Sequence, residues 1–348
     1  MKKSMIILFA TLATFIVLFL SLGYYLSGPV YTGEKLEHFD GKTFINPTGI
    51  KAKGLGEVLK WMIGRKQGPW KEVTYADYGL KPLDTVEDGI RITFVNHTTF
   101  LIQTEGLNIL TDPIWSERTS PFTFAGPKRM RPVGIRFEDL PQIDIVILSH
   151  NHYDHLDVVT MQRIVKEHKP RIITPLGVGA FLEQEEMKGA TDLNWWQELK
   201  LSETLSIQAV PAQHFSGRGM FDRDRTLWCG YVLKRSGGNL YFAGDTGYNE
   251  RTFKEIGDRC APIAVSILPI GAYKPNWFMS PIHTSPEDAV KIFLDTKTQA
   301  AVASHFGTFP LADDSQQDPL DDLIQALRDN QLATERFVPL KEGTYQDF

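Results

Sequence analysis

Cysteine is nearly absent: Cys229 and Cys260 are the two in 348 residues. Two thiols cannot build the disulfide framework that staples small secreted domains, so a packed core must hold this chain together. Cys229 sits in the apolar segment LWCGYVL and reads as a small buried residue. A single bridge to Cys260 is the other option. No cysteine follows the N-terminal apolar run, which argues against a lipid-modified N-terminus. An excess of positive charge is missing as well. The net charge is −5, and a nucleic-acid binder driven by phosphate attraction needs the opposite balance. Internal repeats and low-complexity tracts are missing too, which sets repeat architectures aside. What remains is an ordinary globular composition, 42% hydrophobic, on a chain long enough for one large α/β domain with appendages.

The longest uninterrupted feature is Met5 to Leu26, which carries no charge and follows Lys2 and Lys3. As a helix it spans about 33 Å, against a hydrocarbon core of about 30 Å. Lysines ahead of the span put the N-terminus in the cytoplasm and the bulk of the chain outside. Tyr24 and Tyr25 fall where an interfacial aromatic belt forms. A cleaved signal peptide has a shorter apolar region and a small-x-small cleavage site, which this stretch does not display. Residues 1–27 are therefore read as an uncleaved membrane anchor, with export after cleavage as the alternative. Residues 28–88 read as a linker and extension. They include the amphipathic piece GEVLKWMIGRK (Gly56 to Lys66), whose Trp61 and Met62 either pack on the core or touch the membrane; packing is the expectation.

Residues 89–348 carry a strong α/β pattern. RITFVN, TTFLIQT and LNILTDP read as short strands. A basic run, GPKRMRP with Lys128, Arg129 and Arg131, reads as a solvated face, with a patch for anionic head groups as the rival. IDIVILS (Ile143 to Ser149) reads as a buried strand, and LDVVTMQRIVKEH after it has helical spacing. Between them lies His-x-His-x-Asp-His: His150, His152, Asp154 and His155. Imidazole nitrogens and carboxylate oxygens are ligands that Zn²⁺ accepts at about 2.0–2.2 Å. Alternate residues of an extended segment point the same way, so His150 and His152 can grip one ion. Asp154 and His155, past the turn, aim at a second point nearby. Later strands also finish in metal-competent residues: SIQAVPA before His214, NLYFAGD at Asp245, AAVAS before His305. Ser285 and Pro286 open a capped helix, with Asp288 as the capping-box partner.

This set resembles the metallo-β-lactamase fold family. The resemblance implies an α/β fold, a four-layer αββα sandwich, here preceded by one membrane-spanning helix. It implies that His150, His152 and His214 hold one Zn²⁺, that Asp154, His155 and His305 hold a second, and that Asp245 bridges both. The stretches TDPIWSERTSPFTFAGPKRMRP, GAYKPNWFMSPIHTSPEDAV and ASHFGTFPLAD are similar to the N-acylphosphatidylethanolamine-hydrolysing phospholipase D branch. In that branch the positions of Tyr153 and His283 contact substrate.

The chemistry so implied is hydrolysis of a phosphodiester, in a phospholipid such as N-acylphosphatidylethanolamine, by a metal-bridging hydroxide. Two zinc ions, two aspartates and one hydroxide leave a charge of about +1, which attracts an anionic phosphodiester. His283 is expected to donate a hydrogen bond or a proton to the substrate. Arg218 could meet phosphate with its fork of donors or form a surface salt bridge. His97 is expected as a hydrogen bonder beside the site, and Trp277 and Phe278 as packing residues rather than an acyl groove. The alternatives are a lactone or lactam hydrolase on the same centre and a non-catalytic metal-binding envelope protein. The partners expected are the lipid substrate and the membrane.

Overall fold

The structure, a computed structural model, describes residues 2–75 and 78–348. Its first sheet contains β1 (Arg91–Asn96), β2 (Thr99–Thr104), β3 (Leu107–Thr111), β4 (Ile145–Ile147), β5 (Arg171–Pro175) and β6 (Thr191–Leu193). Its second contains β7 (Glu198–Lys200), β8 (Ser206–Pro211), β9 (Cys229–Lys234), β10 (Asn239–Phe242), β11 (Ile263–Pro269), β12 (Ala300–Ser304) and β13 (Phe337–Val338). The last strand, β14 (Tyr345–Asp347), returns to the first sheet and pairs antiparallel with β1. The strand orders are β14-β1-β2-β3-β4-β5-β6 and β13-β12-β11-β10-β9-β8-β7. Each sheet starts as an antiparallel meander and turns parallel from β3 or β10 onward. Parallel neighbours need crossovers, and α-helices supply all but the β3–β4 connection, a long loop with one 3-10 turn at Phe137–Asp139.

Those helices are preceded by α1 (Lys2–Tyr25) and α2 (Leu55–Gly64). The crossovers are α3 (Val158–His168), α4 (Val178–Gln184), α5 (Glu250–Cys260), α6 (Asn276–Met279), α7 (Pro286–Asp295) and α8 (Asp318–Asp329). Side-chain alternation along β4 shows how the layers form. Ile145 and Ile147 enter the core between the sheets, while Val146 and Leu148 join Met161 and Ile164 of α3 on the outer face. Phe253, Val290, Phe293 and Leu323 of α5, α7 and α8 cover the second sheet. The result is the four-layer αββα sandwich expected from the sequence. Ser285 caps α7 as expected, accepting from Asp288 N at 3.1 Å, with Pro286 in the first turn.

Residues 28–75 and 78–88 lie against the sandwich. Phe39 and Phe44 are 1% and 3% exposed and belong to the inter-sheet core. α1 stands away from it, and its apolar side chains from Met5 to Tyr25 are mostly exposed. Among the described residues it is one helix long and apolar enough to cross a membrane. Both cysteines are buried and free. The basic run is only in part a solvated face. Arg129 is buried and donates to Ile114 O and Ser116 O at 3.1 and 3.0 Å, while Lys128 pairs with Glu72 and Arg131 with Glu342. These cations are consumed in bracing the loop after β3.

Candidate metal centre

Strand ends from both sheets meet at one point. After β4 the chain makes a tight turn in which His155 N and Leu156 N donate to His152 O at 3.1 and 2.8 Å. That turn gathers His150, His152, Asp154 and His155 around one point, with His150 and His155 sharing a donor group with Asp245. His150 Nε2 lies 2.8 Å from His152 Nδ1, which is 3.2 Å from His214 Nε2. These three imidazoles form a first donor group. In a second, Asp154 Oδ2 lies 3.1 Å from His97 Nε2, 3.4 Å from His305 Nε2 and 3.5 Å from His155 Nε2. Asp245 Oδ2 sits between them. It is 3.1 Å from both His155 Nε2 and His305 Nε2, 3.8 Å from His214 Nε2 and 3.7 Å from His283 Nδ1.

Buried polar atoms left unpaired are costly. Among the described residues, His155 Nε2, His305 Nε2, Asp245 Oδ1 and His283 Nδ1 are buried without a hydrogen-bond partner. The three imidazole nitrogens lie 3.1–3.7 Å from Asp245 Oδ2, and sets of three or four donors there lie within 4.8 Å of one another. Divalent cations fit such a set, and imidazole with carboxylate suits zinc, manganese or iron.

The far sides of three rings, His150, His155 and His214, are held so that Nε2 keeps its lone pair inward. His155 Nδ1 donates to Asp112 Oδ2 at 2.7 Å, and His214 Nδ1 donates to Ile282 O at 2.7 Å. Ser149 Oγ gives its single proton to Asp112 Oδ2 at 2.6 Å and so accepts from His150 Nδ1 at 2.9 Å. Asn46, from the N-terminal extension, accepts from His214 N and donates to His214 O, at 2.9 and 2.8 Å. Sequence reasoning missed Asp112, Ser149 and Asn46. For Asp112 a signal was present: like the later donors, it closes a strand.

Three of these strand ends are strained. His97, Asp112 and His305 have φ of 48°, 34° and 59°, a region non-glycine residues seldom adopt and which clusters at functional sites. His305 N donates to His97 O at 2.8 Å, tying the end of β12 to the end of β1. Gly271 makes room for that backbone, since a Cβ there would lie 2.0 Å from His305 O.

The electrostatics are those of a tightly coupled cluster. Burial opposes ionisation of Asp154 and Asp245, yet the neighbouring His155 and His305 hold both carboxyls well below the usual range. Burial likewise opposes a charge on His155 and His305. The aspartates outweigh it, raising His155 well above an ordinary imidazole and His305 to about 9. Burial and nearby imidazoles push His214, His283 and His97 down to about 3 and His152 to about 4.

The remaining expected site residues sit around the cluster. His283 is 13% exposed at its mouth. Tyr153 is half-buried and lines the clefts on either side of Arg218. Arg218 forms no surface salt bridge among the described residues, and it lines both clefts. Its Nη1 donates inward to Asn151 O and Leu156 O at 2.9 and 3.0 Å, and its guanidinium stacks 3.9 Å from the Tyr153 ring. A buried guanidinium seeks carbonyl acceptors, so Arg218 braces the turn that carries the donors. His97 is a hydrogen bonder beside the site, as expected, and lies close enough to count among the second group's donors. Phe278 packs on Trp61 at 4.9 Å, while Trp277 is 45% exposed.

Residues 107–306 match the family model described as a Beta-lactamase superfamily domain. The N-acyl-phosphatidylethanolamine-hydrolyzing phospholipase D 1 of Caenorhabditis elegans is 36% identical over 271 residues, covering 74% of this chain and 75% of the relative. The mitochondrial N-acyl-phosphatidylethanolamine-hydrolyzing phospholipase D of Saccharomyces cerevisiae is 34% identical over 66% of this chain, which spans 49% of that longer protein. Among solved structures, Igni18, a metallo hydrolase from Ignicoccus hospitalis, shares the fold with a TM-score of 0.58. It is 22% identical over 75% of this chain and 99% of that one. The converging histidines and aspartates, the two-sheet sandwich and these matches together make the chain a member of the metallo-β-lactamase superfamily of metal-dependent hydrolases, with homologues in its N-acylphosphatidylethanolamine-hydrolysing phospholipase D branch.

Proposed function

We propose that the protein is a dinuclear zinc phosphodiesterase that cleaves a phospholipid such as N-acylphosphatidylethanolamine. The observation that carries this reading is the overlap of two donor groups at one carboxylate, Asp245. The substrate class is taken from the names of the worm and yeast relatives. His150, His152 and His214 would hold one ion, Asp154, His155 and His305 the other, and Asp245 both. When bound, such ions supply Lewis acidity and lower the pKa of coordinated water from 15.7 toward about 7. His283 stands at the mouth with Nδ1 unpaired among the described residues, placed to donate a hydrogen bond to a phosphoryl oxygen. Tyr153 orients the substrate from the cleft wall. Arg218 keeps the donor turn in shape through Nη1 and, lining the cleft, offers its other donors to the phosphate. α1 serves as an uncleaved anchor, with the lysines before it holding the N-terminus in the cytoplasm and the catalytic unit on the other side.

The test is a panel on the full chain purified in detergent. Metal content is counted, and hydrolysis of an N-acylated phosphatidylethanolamine, an aryl phosphodiester and a β-lactam is compared. About two zinc ions per chain and cleavage of both phosphodiesters, abolished by a chelator, are expected. Cleavage of the lactam with inert phosphodiesters would make the protein a carbonyl hydrolase instead.

A further inference from the structure

α2 uses only one of its faces inside the protein. Val58 and Trp61 lie against Phe278, Met279 and Ala312. Trp61 also donates from Nε1 to Asp313 Oδ1 at 3.1 Å. The other face carries Leu55, Leu59, Met62 and Ile63, which are 73, 51, 62 and 89% exposed. Their spacing puts them on one stripe of the helix. A contiguous apolar stripe left open on a folded domain marks an interaction surface. Its rim is basic. From Lys51 to Lys66 the chain has five basic residues against the single acid Glu57, within a protein of net charge −5. Lys60 lies 5.1 Å from the ring of the half-exposed Trp277. An apolar stripe with cations and tryptophan at its edge matches the interface of an anionic bilayer.

The surroundings point the same way. Just past α1, Gly28 N donates to Asp222 Oδ2 at 2.8 Å. Two residues before α2, Lys53 O accepts from Arg223 Nη2 at 3.0 Å. The foot of the apolar anchor and the start of α2 are thus fastened to one loop. That loop also walls the cleft that opens onto His152 and Asp154, with Leu311 on the cleft's far side beside the residues that seat α2.

We propose that α2 is a second membrane contact, lying in the head-group layer of an anionic leaflet with Leu55, Leu59, Met62 and Ile63 inserted. Its lysines meet lipid phosphates, and the cleft over the metal centre is held against the surface that α1 anchors. The inference stands on the exposure and charge of α2 and does not depend on the reaction assigned to the site.

The test places a nitroxide at position 63 of the full chain through Ile63→Cys, the native cysteines being buried. A control carries it at the exposed β7–β8 turn through Glu203→Cys. Both are reconstituted into vesicles of phosphatidylcholine alone or with roughly one-third phosphatidylglycerol. In the anionic vesicles the label at 63 should be open to oxygen and shielded from a water-soluble nickel chelate, while position 203 stays open to the chelate. Equal chelate access at both positions would overturn the proposal. So would shielding that is identical in pure phosphatidylcholine, or disulfide cross-linking of two unlabelled Ile63→Cys chains through the introduced thiol, which makes a second copy the occupant. In a separate arm, Leu59→Glu with Ile63→Glu should raise KM for vesicle-borne lipid roughly tenfold. Turnover of a soluble aryl phosphodiester should be unchanged; a parallel loss on both would mean a purely structural helix. If the unaltered protein cleaves neither substrate, the proposed reaction falls while the nitroxide result still decides the role of α2.

Discussion

The two sheets supply the metal centre in different ways. The first delivers four donors from six consecutive residues after β4, whereas the second delivers His214, Asp245 and His305 from just past the ends of β8, β10 and β12. The turn from the first sheet is held by groups close to it. Ser149 and Asp112 grip the far nitrogens of His150 and His155, and Arg218 gathers two of its carbonyls. The second sheet's donors depend on strand register and on chain from far away, as when Asn46 clasps the backbone of His214. A compact motif can keep its shape through neighbours, but a donor at a strand end is only as well placed as the sheet that carries it.

Changes at the junction should have the largest effects. Asp245→Asn removes the charge that touches both groups, so metal content should drop below one per chain and hydrolysis by about 10³-fold or more; two retained metals would deny Asp245 its shared position. His283→Ala should separate holding from turnover, lowering kcat by about 10²-fold with two metals still counted by mass spectrometry. Loss of an ion would make His283 a support. Asp112→Asn should weaken the Asp154–His155–His305 group by about 10- to 100-fold in metal affinity and the all-imidazole group less, since it reaches His150 only through Ser149. A titration with one tight and one weakened ion checks it. On the side that depends on distant chain, Asn46→Ala should cost about 1–3 kcal/mol in urea unfolding, since it strands buried backbone groups of His214.

The smallest effect concerns protons in the chelated protein. His155 and His305 have folded pKa values raised above their unfolded ones, so the stability they contribute is full below about 6.5. It is lost as pH rises through about 9 for His305. The site's other imidazoles are depressed and act in the opposite sense, below pH 6.5. The chelated protein should therefore melt a few degrees lower at pH 9 than at pH 7, and the metal-loaded protein should not. Equal slopes for both would mean that these imidazoles carry no proton at neutral pH.

Much of the frame was legible because it obeys local rules. The β-branched run before His150 makes a strand, the Ser285-Pro286 pair caps α7, and the alternation along β4 fixes which residues face which layer. The donors themselves could be named because each follows a strand. Their supports could not. Asp112, Asn46 and Ser149 have no spacing relation to the rings they hold, and only the superposed sheets bring them close. Arg129 misled for a related reason: charge in a sequence reads as solvent-facing, and only the fold offers the carbonyls that absorb it. Trp61 and Met62 are neighbours in one amphipathic piece, yet one packs and the other is exposed, which depends on where α2 lies against Phe278.

By itself the sequence determined the apolar N-terminal helix and the run of strands and helices, because periodicity and strand ends are properties of short stretches of chain; the sandwich and its seven donors followed from the family resemblance. Tertiary structure alone decided that β14 closes the first sheet beside β1, that Phe39 and Phe44 complete the inter-sheet core, and that Asn46 clasps the backbone of His214. Those outcomes depend on contacts between residues far apart in the chain. Such contacts follow from how whole layers stack rather than from any local preference.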